Sequence, residues 1–346
     1  MQKKDAKELC LNLQKEFDSY VCDSFFGNII STYANAKPWI YEFYISLQLE
    51  QSAPNPIFVT DKLLKFTGAW TAPERKFEHQ VYKKEYFSEH DVLDTIRENI
   101  NNNEYIYTFL DESVFSDSPA SVHDNIVLGY DDSSEEIILC GFYNYKIQKM
   151  RISYEKFREA FSKAIENDYK QQIGLEKFYR NYKFVFPMDK PYEVNIDTVK
   201  CYLEDYLNSK VGNSLLYEGE ELKHEHNLEN SLFGDAIFDA LKDEVVHCLE
   251  VKTGGIDIRK FSLIHNYALL MKERIDYFTN VLSYDLGKLS SPLDKAISSA
   301  QELCNVVIKY NLKRNENPKW KVLLLDNIDV VRNELRYIVE TLLKTL

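Results

Sequence analysis

The sequence predicts an α+β fold, in which a helix leads into an antiparallel sheet, followed by a second domain made of helices alone. Three observations carry this expectation. Phe25, Phe26, Ile29, Ile30 and Tyr33 recur at the spacing of one buried helix face. Between Tyr105 and Ile152 four β-rich runs follow one another, two of them joined by the turn sequence Asp131-Asp132-Ser133-Ser134. Beyond the break at Pro187 to Pro191, apolar residues return almost throughout at a period of 3.6. The expected domains are therefore residues 1–187 and 188–346.

In chain order, Ala6, Leu9, Leu13 and Phe17 share one face and predict a first helix, with Cys10 as a small core residue inside it. Tyr20 to Cys22 reads as a short extended stretch that turns directly into the second helix, which is expected to end near Lys37-Pro38 because proline interrupts it. From Trp39 to Gln80 the chain is aromatic and broken by Pro54, Pro56 and Pro73, a composition suited to a cover or a pocket wall. A helix is expected from Ser88 to Ile100, capped by His90 or Asp91 and stopped by Asn101-Asn102-Asn103. A strand from Tyr105 to Leu110 then leads to a polar loop through Ala120, a strand headed by His123, its returning partner through Phe142, a third strand near Ile147 to Ile152, and a helix capped by Ser153. In the second half, helices are expected at Asp197 to Ser209, Asp235 to Glu250, Ile264 to Leu282, Leu293 to Tyr310 and Ile328 to Leu346.

Composition narrows the partners. Forty-two Lys and Arg against fifty-five Asp and Glu give a net charge of -13 with no basic stripe, which argues against nucleic acid. The N-terminal stretch lacks the apolar core of a signal peptide, and no apolar run approaches the roughly 20 residues that span a bilayer. The expectation is a cytoplasmic protein without a membrane partner, whose six scattered cysteines are thiols rather than disulfides. No metal or other cofactor is expected. His224-Glu225-His226 lies in charged, loop-like sequence without a helical histidine pair, and Lys252-Thr253-Gly254-Gly255 lacks the longer pattern that cradles phosphates. Asp257, Arg259, Glu273 and Arg274 suit ion pairs or a pocket wall equally.

Chemistry gathers at Cys22 and His123. A thiol in the first turn of a helix meets free N–H groups and the positive end of the helix dipole, which favour thiolate. A histidine at a strand head beside Asp124 and Asn125 is placed to be exposed. Helix-start cysteine followed by strand-start histidine is the chain order of papain-like cysteine enzymes, in which imidazole activates sulfur. Across the hairpin the residues facing His123 fall between Cys140 and Asn144, and Asn144 is the available amide to orient the ring. A structural role for Cys22 as a buried thiol stands beside this reading.

The Cys22 helix, the stretch from His123 to Gly129-Tyr130-Asp131-Asp132, Cys140-Gly141-Phe142-Tyr143, and the later Leu203-Glu204-Asp205-Tyr206-Leu207-Asn208-Ser209 and Asp257-Ile258-Arg259 resemble proteins related to the N-terminal domain of the butirosin biosynthesis protein H. The resemblance implies a papain-like cysteine protease fold repurposed to make amide bonds in antibiotic biosynthesis, as in the closthioamide-forming enzyme. An acyl group would pass from the thioester of an acyl or peptidyl carrier protein to Cys22, and from there to a small amine such as a di- or polyamine. Two departures from the protease pattern accompany it: Lys15, Glu16 and Phe17 occupy the region where an oxyanion-donating glutamine belongs, and the third triad position lacks an acid. A cysteine peptidase, a thioesterase and a non-catalytic binding protein are the competing readings. An acidic carrier would dock on a local basic face such as Arg75, Lys76, Lys83 and Lys84.

Overall fold

The computed structural model describes residues 5–17, 21–45, 47–50, 63–66, 77–82, 84–116, 122–143, 146–166, 179–185, 189–210, 231–251, 255–313 and 319–346. Its elements run β1 (Ala6–Glu8), α1 (Val21–Thr32), α2 (Pro38–Phe43), β2 (Leu47–Glu50), β3 (Leu63–Phe66), β4 (Phe77–Tyr82), α3 (Val92–Asn101), β5 (Glu104–Asp111), β6 (Val122–Asp131), β7 (Glu136–Tyr143), β8 (Lys146–Ser153), α4 (Tyr154–Glu166) and β9 (Tyr179–Phe184). They continue with α5 (Ile196–Asn208), β10 (Ser231–Phe233), α6 (Ile237–Val251), α7 (Ile258–Asn280), α8 (Ser290–Lys313) and α9 (Lys319–Thr345). Helices combine with antiparallel sheet, so the α+β class holds.

The chain divides into two compact units. The first comprises residues 1–14, 20–33 and 73–188, and the second 15–19, 34–72 and 189–346. One division falls at 188/189, beside the expected boundary, but two N-terminal segments group with the C-terminal half.

The first unit is built on a seven-stranded antiparallel sheet of order β4-β9-β5-β6-β7-β8, with β1 beside the far end of β6. α1 lays Phe25 on Tyr107 and both Phe25 and Phe26 on Tyr182, with ring centroids 5.1–5.6 Å apart, so one sheet face carries Tyr105, Tyr107, Phe109 and Tyr182. The opposite face receives α3 and α4: Asn99 donates to the Tyr179 hydroxyl at 3.1 Å, and Phe161 meets the same ring. The polar turn after β6 is tied to both helices, because Asp132 accepts from Arg97 at 2.8 Å and from the Tyr154 hydroxyl at 2.7 Å.

Several local expectations change. The stretch predicted as a first helix is β1 followed by extended chain and a 3-10 turn at Lys15–Phe17. Sheet pairing overrides helical spacing here: at Gly129 an added Cβ would lie 2.3 Å from the Lys7 carbonyl oxygen, so a glycine is what lets β1 come against β6. The extended chain buries Leu9 and Leu11, while Cys10 between them is exposed rather than core. α1 stops at Thr32, and Pro38 begins α2 instead of ending α1; at a first helical position the missing N–H costs nothing. Asp91 caps α3 through the Leu93 N–H at 2.7 Å, and Asn103 leaves the helix with φ 63°. The aromatic 39–80 segment holds α2, β2, β3 and most of β4 where an irregular cover was expected.

The second unit is mainly helical but contains a three-stranded antiparallel sheet, β10-β2-β3, with Phe233 opposite Gln48 and Leu47 opposite Phe66. Among the described residues, no helix is long and apolar enough to cross a membrane.

Candidate functional site

Cys22 is the second residue of α1, one turn before Phe25 and Phe26 along the helix that packs on the sheet; its side chain lies outside the described residues. His123 is the second residue of β6, paired with Leu110 of β5. Its ring is exposed and makes no hydrogen bond among the described residues. Asn144 lies outside the described residues. The hairpin register pairs Ile126 with Cys140, and counting on three positions brings Tyr143, the last residue of β7, opposite His123.

Strand alternation separates the two neighbours at the head of β6. Asp124 pairs with Phe109, on the face where α1 packs, and accepts from the Tyr107 hydroxyl at 2.7 Å. His123 and Asn125 belong to the other face, beside Leu110 and Thr108. The polar side chain of the strand head that shares a face with the aromatic contacts of α1 is therefore Asp124.

On the face of His123 lies a buried polar chain that the sequence did not point to. Asn125, fully buried, donates from Nδ2 to the His123 carbonyl at 3.1 Å and to Glu112 Oε1 at 3.3 Å, while its Oδ1 accepts from the Tyr143 hydroxyl. Glu112, in the 3-10 turn Glu112–Val114, is 2 % exposed. Burial pushes its carboxyl up to about 7; the Asn125 hydrogen bond works against this, and the charges of Asp124 and Asp111 reinforce it. Gly141 leaves the space that the chain occupies, since a Cβ there would fall 2.5 Å from Asn125 Oδ1 and 2.6 Å from the Tyr143 ring. Glu112 reads in the sequence as one more acid of a polar loop. The one signal of the cluster is the glycine across the hairpin from an asparagine that opens the apolar run Ile126-Val127-Leu128.

Three of the described thiols are raised above the ordinary thiol range. Burial pushes Cys140 up to about 12 and also raises Cys248; Cys201 is raised by its residual burial and by Glu204, Asp205 and Asp197. Cys10 is exposed.

The remaining motifs take structural places or lie outside the described residues. Asp257 caps α7 and pairs with Arg259 at 2.9 Å, and Glu273 pairs with Lys37 at 2.9 Å. Arg274 is fully buried and donates to the carbonyls of Tyr41 and Tyr44, each at 2.7 Å; burial lowers it to about 10. His224-Glu225-His226, Lys252 to Gly254, and Arg75, Lys76 and Lys83 lie outside the described residues, and Lys84 begins the 3-10 turn Lys84–Ser88. Among the described residues no group of three or more His, Cys, Asp and Glu is placed to hold a metal ion. Neither a family model nor a curated protein matches this sequence.

Proposed function

We propose that this protein is an amide-forming acyltransferase of specialised metabolism, its first unit a papain-like scaffold with Cys22 as nucleophile and His123 as base. The observation that carries the reading is the placement of Cys22 in the first turn of a helix packed on an antiparallel sheet, with an exposed, unengaged histidine at the head of a strand in the same unit. The resemblance to relatives of the butirosin biosynthesis protein H supplies the donor and acceptor classes. The Cys22 thiolate attacks the carbonyl of a carrier-bound thioester, its proton having passed to His123; the C–S bond to the carrier breaks and the carrier thiol leaves with that proton. The amine then attacks the acyl-enzyme, Cys22 leaves as thiolate, and His123 takes the proton from nitrogen. Backbone N–H groups of the first turn of α1 receive the oxyanion. A thioester is already activated, so the missing glutamine and the missing acid of the third triad position cost less here than in a peptidase. His123 lies on the face of β6 away from α1, so this reading requires its imidazole to pass the strand head, which begins one residue earlier at Val122, to serve Cys22.

The test is to incubate the protein with an acyl-loaded carrier, with and without diamines, and follow products and protein mass. The expected result is an acyl group on Cys22 and amide formed faster than free acid. Free acid as the sole product makes the protein a thioesterase. Limited iodoacetamide treatment is expected to label Cys22 ahead of Cys10, and labelling of Cys10 first removes the activated thiol from the reading.

A second reading, a non-catalytic binding protein, is favoured by one observation: alternation puts His123 on the face of β6 opposite the aromatic contacts of α1. No acyl-enzyme with any donor establishes that reading in place of the first.

A further inference from the structure

We infer that Glu112 is a positioning residue for His123, acting through Asn125 from a carboxyl buried beside the head of β6. The inference rests on the acyl-transfer reading only for what His123 is used for; the linkage itself stands on geometry. The Asn125 amide has two donor hydrogens and one acceptor oxygen, and all have partners: Glu112 Oε1, the His123 carbonyl and the Tyr143 hydroxyl. With both Nδ2 hydrogens aimed at acceptors and Oδ1 at a hydroxyl, the amide has one orientation, and the His123 backbone is held from its own side of the sheet. A fully used amide in a space that only Gly141 leaves open is a built arrangement rather than an accident of packing.

The field around the carboxyl is negative. Asp111 immediately precedes it, the charge of Asp124 reaches it from the other face of β6, and the Tyr143 hydroxyl stands on β7. From α4, which packs on this turn, Lys163 interacts with Asp111. Ionising Glu112 adds a buried charge to a site with two carboxylates close by and no cation in direct contact with it among the described residues. Water or a shift of Asn125 must then answer it, and either disturbs the anchor of His123. Below this ionisation His123 is held; above it, the strand head loosens.

The experiment is an NMR titration of the His123 ring proton from pH 5 to 9 in the full chain, assigned by its loss in His123→Ala and compared with Glu112→Gln. Glutamine keeps the shape and the acceptor and cannot ionise. Besides its own protonation step, the His123 resonance is expected to show an inflection near pH 7 that Glu112→Gln removes. Should Glu112→Gln fail to fold, Tyr143→Phe keeps the ring and removes the donor to Asn125, and is expected to shift that inflection by at least half a pH unit. A His123 curve with the same single step in wild type and variant overturns the inference, as does an unmoved inflection in Tyr143→Phe. Acyl transfer retained by His123→Ala would sink the catalytic reading while leaving this result standing, so the two failures are told apart.

Discussion

The two faces of β6 hold polar groups one residue apart under opposite conditions. On the α1 face, Asp124 is half-buried and accepts a hydrogen bond from the Tyr107 hydroxyl. On the other face, Asn125 is sealed from solvent and a nearby glutamate is driven toward its neutral form. The contrast shows that residue type and spacing at a strand head do not assign chemistry until the side of the sheet is known, because the side-chain period is two.

Acyl transfer breaks or sharpens this contrast most strongly. Cys22→Ala is expected to lower it at least ~10³-fold, as loss of a nucleophile does. His123→Ala should approach the same loss, with Asp124→Asn within about tenfold of wild type in the mass-spectrometric assay. The reverse order, with Asp124→Asn inactive and His123→Ala active, would move the chemistry to the α1 face.

Next in size is the packing behind His123. Gly141→Ala forces a methyl group into Asn125 and Tyr143 and is expected to cost about 2–3 kcal/mol in urea unfolding. Gly287→Ala, with nothing within 4 Å of its new Cβ, is the control and should stay within about 0.5 kcal/mol. Equal effects would mean that the cluster yields easily and anchors nothing.

Stability against pH comes third. Glu112 is raised in the folded protein from 4.5 to about 7, so its neutral form is the one the fold favours. Its contribution is fully present below about pH 4.5 and is lost as pH rises to 7. Glu112→Gln should therefore gain on wild type across that window, by up to about 3 kcal/mol at pH 8, in unfolding curves taken at several pH values. A constant difference would show that Glu112 ionises like an exposed carboxylate.

The smallest effect concerns His123 itself. Its exposed ring contributes little to the core, and His123→Ala should change unfolding free energy by less than about 0.5 kcal/mol.

Much of this was legible in the sequence where the pattern is local. The hairpin of β6 and β7, the Asp91 cap, the asparagine stop after α3 and the helices of the second half follow from spacing and turn chemistry. What escaped depends on contacts distant in sequence. β1 copies helical spacing but is recruited by β6 at Gly129, β9 pairs with β4 and β5 from a tyrosine-rich stretch without clear alternation, and β2 pairs with β10, nearly two hundred residues on. Of the candidate site, the elements that carry Cys22 and His123, a helix start and a strand head, were legible. Their surroundings were not, since Glu112 meets Asn125 only because a short turn folds back beneath β6.

Arg274 has a consequence in the order of synthesis. Its guanidinium holds the carbonyl of Tyr44, 230 residues earlier in the chain. At ~5–20 residues per second, a ribosome makes Tyr44 about 10–50 seconds before the arginine that secures it. Through that interval Trp39, Ile40, Tyr44, Ile45, Leu47 and Leu49, all buried in the finished protein, await the partners that α7 and β10 bring. The nascent chain thus carries a sticky apolar strip for most of its manufacture, and a fragment cut at residue 187 would carry it permanently. Chaperone binding during translation, and aggregation of such a fragment, are the expected cellular outcomes for a second unit whose first pieces are made long before its last.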